Sequence, residues 1–97
     1  MSYSDAVSAD QRLVILEALE QDSGYSHNEH VLRSMLEATG HHVSRDMLRS
    51  QLAWLEEQGL VTVALVGETR VAKLTGRGED AARGNARIPG VARPRLI

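Results

Sequence analysis

Arg45, Arg49 and Ser50 are the side chains whose types and spacing best suit a chemical task. The two arginines stand four residues apart in a segment that opens at Ser44, so they share one side of a helix. An arginine guanidinium donates two hydrogen bonds to a guanine edge, and a serine hydroxyl bonds a base or a phosphate. The pattern predicts a helix that reads DNA, with Ser44, Arg45, Arg49 and Ser50 as its contacts. The alternative is an ordinary solvated helix, in which Asp46 and its neighbours only pair with the arginines.

Three further cations follow this helix. Arg70 and Lys73 lie in the second strand of a predicted hairpin and Arg77 lies just beyond it; these three are the candidates for contacts to the DNA backbone. The hairpin tip itself, at residues 67–69, carries Glu68 and no cation. Phosphate contacts supply much of the affinity for DNA, so a monomer should bind weakly. A homodimer, or the arginine-bearing tail, is expected to compensate.

The four histidines raise the question of a metal site. His27 and His30 lie three residues apart near the start of a predicted helix, and His41 and His42 follow its end. The two pairs are too far apart to share an ion, and His27 with His30 would need ligands from a second chain to bind zinc. We therefore predict no metal and no cofactor. A phosphate contact by His41 and His42, favoured at lower pH, is slightly more plausible than a metal site.

The motifs of common enzymes are missing from the sequence. There is no cysteine, no HExxH pair and no GxxxxGK[ST] loop, since the glycines at 76–78 do not fit that pattern. The prediction is that the protein is not an enzyme.

Length and charge set further bounds. The 97 residues suffice for one small domain, and no apolar run is long enough for a membrane span, so the protein is expected to be cytoplasmic. Residues 1–69 carry a net charge of −7, whereas residues 70–97 carry +5. An acidic body with a basic end suggests either an oriented molecule whose tail meets an acidic partner, or simply a solvated face and a disordered tail.

Cap signals divide the first two thirds of the chain into three helices. Ser8 with Gln11 resembles a capping box for a helix over 9–21, and Ser26 with Glu29 resembles a second box for a helix that ends near Thr39. Ser44 caps the third helix, which Gly59 ends. Val43 and Leu48 have the spacing of a hydrophobic staple at the start of that helix.

A hairpin and a short helix should complete the domain. Residues 60–66 and 70–74 are rich in β-branched and apolar side chains and flank a turn at Gly67-Glu68. Thr75 is expected to cap a weak helix over 76–83, in which Gly76 and Gly78 favour fraying. Pro89 and Pro94 prevent a helix in the tail, which we expect to be flexible unless a partner holds it.

The run VSRDMLRSQLAWLEEQGLV followed by KLTGRGEDAA resembles the winged-helix domains of small bacterial regulators of the ArsR and MarR types. The whole layout resembles small proteins of Mu-like prophages. The resemblance implies a bacterial or phage origin, a homodimer and transcriptional control. It places Arg45, Arg49 and Ser50 on the recognition helix and residues 70–73 on the wing. The cysteine ligands of metal-sensing ArsR proteins are absent.

Together these observations predict an α+β, mainly α, winged helix-turn-helix with three helices, a hairpin wing and a short C-terminal helix. Residues 1–8 would form an N-terminal arm, 9–84 the domain and 85–97 a flexible tail. The predicted function is that of a dimeric phage or bacterial regulator bound to double-stranded DNA. The alternative is a protein–protein interaction module of a phage, with a phage or host protein as its partner.

Overall fold

The computed structural model describes residues 2–95; Met1, Leu96 and Ile97, which the sequence analysis assigned to the arm and the tail, lie outside the described residues. Within that range the fold is α+β and mainly helical, as predicted. Its elements are α1 (Tyr3–Gln21), β1 (Ser26–Asn28), α2 (Glu29–Ala38), α3 (Arg45–Glu57), β2 (Val61–Val66), β3 (Thr69–Leu74) and α4 (Gly76–Arg83). The three strands form one antiparallel sheet in the order β1-β3-β2.

Helix α1 begins six residues before its predicted start. The Ser2 hydroxyl accepts from the amide of Asp5, and the Asp5 carboxylate accepts from the amide of Ser2, which completes a capping box. The capping box predicted at Ser8 is therefore wrong, and residues 3–8 are helix rather than an arm. Gln11 caps nothing; its buried side-chain oxygen accepts from Gln51 Nε2 at 2.9 Å.

Strand β1 was missed by the sequence analysis. The predicted capping box at Ser26 and Glu29 is wrong, because residues 26–28 pair with residues 71–73 of the central strand β3. Helix α2 starts only at Glu29, where the side chain of Asn28 accepts from the amide of Val31 at 2.9 Å. Its end is as predicted, since Gly40 follows the Thr39 cap with a φ of +90°.

The third helix and the hairpin are close to their predicted positions. Ser44 accepts from the amide of Met47, and Gly59 ends the helix region with a φ of +77°. Strands β2 and β3 pair in a register that places Val66 opposite Thr69 across the turn. Strand β2 starts one residue later than predicted, and β3 starts one residue earlier.

Aliphatic side chains, mostly leucines, from three helices and the hairpin build the core. Val43 and Leu48 both belong to this cluster, in agreement with the predicted staple. The largest side chains with almost no exposure come from α1 (Ile15, Leu16, Leu19), α2 (Leu32, Leu36), α3 (Leu48, Leu52, Leu55) and the start of the hairpin (Leu60, Val61). The core therefore fixes α3 against both preceding helices.

Helix α4 has the predicted bounds and the predicted Thr75 cap. Fraying at its glycines stays a prediction, but Gly78 has a packing role that was not predicted. A Cβ at that position would lie 2.0 Å from the carbonyl oxygen of Leu60, so glycine allows the helix to approach the hairpin closely. Ala81 and Ala82 continue the contact and are buried.

Residues 85–95, which we call the strap, return along α1. The Ala92 amide donates to the Ala9 carbonyl at 3.1 Å, and Ile88 is buried in the core cluster. These residues, which the sequence analysis assigned to a flexible tail, are thus packed against the domain. The prolines prevent a helix there, but they do not prevent packing.

The close approach at Gly78 predicts a large difference between two glycine substitutions in one helix. Gly78→Ala should lower the free energy of unfolding by about 1–3 kcal/mol, because the added methyl has no space. Gly76→Ala is the matched control, since nothing lies within 4 Å of its Cβ position. It should leave stability unchanged or raise it by up to ~1 kcal/mol. Urea unfolding of both variants checks this, and equal effects would contradict it.

Candidate nucleic-acid interface

The first two turns of α3 present most of the predicted contact residues to solvent. Ser44, Arg45 and Ser50 are exposed, and so is Asp46. Within residues 2–95 the Arg45 side chain forms no ion pair, so its guanidinium keeps its donors available. Met47 stands on the same turns and is 51% exposed. This surface combines one cation, hydroxyls, one acid and a thioether.

Arg49 has a partner that the sequence analysis did not identify. Its Nε lies 2.8 Å from Glu29 Oε1 and its Nη2 lies 3.0 Å from Glu29 Oε2, which is a bidentate ion pair. The side chain of Glu29 is 2% exposed, whereas that of Arg49 is 25% exposed. A guanidinium held in this way has few donors left for a base. The DNA contact of Arg49 stays a prediction, and the structure gives this residue a positioning task.

Glu29 also holds the hairpin. Its Oε2 accepts from the backbone amide of Arg70 at 2.8 Å, and Arg49 Nη2 reaches the carbonyl of Glu68 at 3.4 Å. The first residue of α2 thereby connects the second turn of α3 to the hairpin tip. Hydrogen bonds from Arg49, opposed by burial and helped by the Arg70 amide, lower the pKa of Glu29 to about 2.

The three cations predicted for the hairpin region lie in different places. Arg70 is half-buried near the tip, close to the Glu29–Arg49 pair. Lys73 is exposed nearer the base of the hairpin, opposite Thr62 and Ser26. Arg77 donates to the carbonyl of Gln58 at 3.0 Å, beyond the C-terminal end of α3. Thirteen helical residues span about 20 Å, so Arg77 is far from Arg45.

Two large apolar side chains project from the hairpin. Leu65 is 65% exposed and Val66 is 63% exposed. Leu65 shares a sheet face with Val61 and Val63 because side chains alternate along a strand, but it lies past the end of the core. Leu65 is one of the apolar side chains of the predicted strand over 60–66, and its exposure was not predicted.

The histidines are dispersed. His41 Nε2 lies 2.6 Å from Asp10 Oδ2 and connects α1 to the segment between α2 and α3, while exposed His42 lies 3.6 Å from Glu37. His27 belongs to β1, and exposed His30 belongs to α2. Over residues 2–95, no three side chains of the metal-binding types come together.

The fold defines the chain as a small α+β protein that is mainly helical. None of the helices described is both long and apolar enough to cross a bilayer. No protein-family model matches the chain. It is 49% identical over 92 residues to the uncharacterized protein gp26 of Escherichia phage Mu, which covers 95% of each chain. It is also 46% identical over 63 residues to an uncharacterized Haemophilus influenzae protein, covering 65% of this chain and 61% of the relative. The chain belongs to the family of phage Mu gp26.

The low pKa of Glu29 predicts a loss of stability in acid. The folded-state pKa of about 2 lies below the ordinary value of 4.5. The resulting stabilisation is present above pH ~4.5 and is lost as the pH falls towards about 2. Glu29→Gln should flatten the dependence of the unfolding midpoint on pH in that window. Urea unfolding at a series of pH values tests this, and an equal slope in both proteins would contradict it.

The Glu29–Arg49 pair also predicts unequal effects of two arginine substitutions on α3. Arg49→Ala leaves a buried carboxylate without its main partner and should clearly lower the urea midpoint. Arg45→Ala removes an exposed side chain of the same type and should change stability by no more than about 0.5 kcal/mol. Circular dichroism during urea unfolding compares the two variants. If Arg45→Ala costs as much as Arg49→Ala, the ion pair has no special role.

Proposed function

We propose that the chain is a winged helix-turn-helix protein that binds double-stranded DNA as a homodimer and regulates transcription in a phage or prophage. One observation carries the proposal. The elements follow the order α1-β1-α2-α3-β2-β3 with sheet order β1-β3-β2, and Glu29 fixes the hairpin tip beside the first turns of α3. In this arrangement α3 corresponds to the recognition helix and the hairpin to the wing.

The proposal assigns different tasks to the predicted contact residues. Arg45 reads a base edge, with Ser44 and Ser50 bonding a base or a phosphate. Arg70 and Lys73 contact the backbone from the wing, and Arg77 contacts it only at the far end of α3. Arg49 acts through Glu29 by holding α3 and the wing in register. The phage origin of the gp26 relative supports a task in a phage life cycle.

The low net positive charge of the proposed DNA-binding face in one copy supports binding as a homodimer. Arg45 and Arg70 are accompanied by Asp46 and Glu68, so one copy offers few net positive charges to phosphate. Each phosphate contact releases counterions and adds to the affinity. Two copies on two half-sites double the number of contacts, and half-sites one helical turn apart match a two-fold axis.

Binding to duplex DNA tests the proposal directly. Genomic fragments selected on the purified protein would supply the duplex, and fluorescence anisotropy would measure its affinity over a range of salt concentrations. Replacing Arg45 and Arg70 together with alanine should abolish specific binding and flatten the salt dependence, by about one unit of slope for each lost phosphate contact.

Arg87→Ala is the matched control for this experiment. Arg87 is exposed on the strap rather than on α3 or the hairpin, and in this proposal the second copy rather than the tail supplies the missing affinity, so its loss should have little effect. Failure of the wild-type protein to bind any duplex at low ionic strength would contradict the proposal. So would equal losses in the double variant and in the control.

A second function is favoured by the apolar side chains of the same surface. Met47, Leu65 and Val66 are all more than half exposed, and exposed apolar groups beside charged ones are typical of protein interfaces. In this alternative the fold is an interaction module for a phage or host protein. A double variant, Leu65→Ser with Val66→Ser, distinguishes the two proposals. It should preserve duplex binding if α3 and the wing read DNA by charge.

A further inference from the structure

A groove runs between the N-terminal half of α1 and the strap. These elements are distinct from α3 and the hairpin, which carry the proposed DNA contacts. It has a volume of about 620 Å³, within the range of pockets that hold small molecules. Its apolar walls come from Ala6 and Ala9 on one side and from Ile88, Pro89 and Val91 on the other. We call this cavity the strap groove.

The charged side chains of the strap groove are mostly positive. Arg12, Arg87 and Arg93 line it, against a single acid, Asp5. Arg87 and Arg93 are exposed, and within residues 2–95 they take part in no side-chain hydrogen bond or ion pair. A concave, partly apolar cavity with an excess of free guanidinium groups is complementary to an amphipathic anion.

Arg12 is held in place in this wall. Its Nε donates to Gln51 Oε1 at 2.8 Å, its Nη1 donates to the carbonyl of Gly90 at 3.0 Å, and its guanidinium carbon lies 3.9 Å from the centre of the Trp54 ring. Burial lowers the pKa of Arg12, but a guanidinium remains charged at neutral pH. Within residues 2–95 the Nη2 of Arg12 has no hydrogen-bond partner, so the groove contains a preorganised positive group with one nitrogen left to donate, which lowers the entropy cost of binding an anion.

We propose that the strap groove binds a small organic anion with an apolar body, of the class of a medium-chain carboxylate. The carboxylate lies between Arg87 and Arg93 near Arg12, and the hydrocarbon part packs on the alanines and on Ile88. A duplex backbone fits this groove less well, because its phosphates have no apolar groups that could pack against the apolar walls. The proposal is independent of DNA binding.

A ligand in the strap groove would also change the environment of Trp54 on α3. A Cβ on Gly90 would lie 2.7 Å from Trp54 Cζ2, so the strap is seated directly on the indole ring. Trp54 is the single tryptophan of the chain. Any shift of the strap or of Arg12 changes the surroundings of that ring, which makes its fluorescence a specific reporter of the groove.

Titration of the full chain with octanoate, followed by Trp54 emission, tests the proposal. We expect a saturable change with octanoate. The neutral analogue octanamide lacks the charge, and inorganic phosphate lacks the apolar body, so each should bind at least about tenfold more weakly, the loss expected for one charge-assisted contact. No saturable change with octanoate, or equal affinity for octanamide, overturns the proposal.

Arginine variants locate the site. Arg87→Gln combined with Arg93→Gln should weaken octanoate binding at least about tenfold and leave the melting temperature unchanged, because both side chains are exposed. Arg95→Gln is the matched control, an exposed arginine of the strap outside the groove. An equal loss in the control would show general charge attraction and overturn the assignment. Unchanged affinity in the double variant would overturn it too.

Discussion

The buried carboxylate of Glu29 is the constraint on which the arrangement of the other elements depends. A charge with 2% exposure must be compensated by donors inside the protein. Here the donors are two nitrogens of Arg49 and the backbone amide of Arg70, from α3 and from β3. Satisfying one carboxylate therefore fixes the start of α2, the rotation of α3 and the position of the hairpin tip at the same time. Apolar packing alone is non-directional and leaves such rotations less well defined.

A second polar network holds the opposite side of α3. Gln51 donates to Gln11 and accepts from Arg12, and Arg12 in turn covers Trp54 and reaches Gly90 of the strap. Gln51 is 4% exposed, and among residues 2–95 no buried side-chain nitrogen or oxygen lacks a partner. Networks that are fully satisfied in this way specify one arrangement, because any slip would leave a desolvated group unpaired. Helix α3 is thus fixed by polar contacts on two sides and by leucines between them, and its first turns remain open.

Local signals in the sequence predicted the parts of the fold that local interactions determine. Ser44, Thr75 and Gly59 act within one turn of their own position, so the bounds of α3, the hairpin and α4 could be predicted. The start of α1 could not, since Ser2 with Asp5 and Ser8 with Gln11 both fit a cap pattern. In the fold the side chain of Gln11 bonds Gln51, 40 residues away, a contact that the local sequence does not predict. Strand β1 has three residues and no pattern of its own, and it exists because β3 has a free edge.

The candidate site shows the same division between local and distant determinants. Exposure of Arg45 follows from the stripe of Leu48, Leu52 and Leu55 on the other side of α3, so the sequence was enough to predict it. The ion pair of Arg49 could not be predicted, because its partner Glu29 had been assigned to a capping box with Ser26. With that pair formed, and considering residues 2–95, α3 offers one arginine outside any ion pair where the spacing suggested two. The charge of the surface is therefore lower than a residue count indicates, and the exposed apolar side chains of Met47 and Leu65 lie on it or beside it. The shape of this face, more than its net charge, must then supply the selectivity for any partner that it binds.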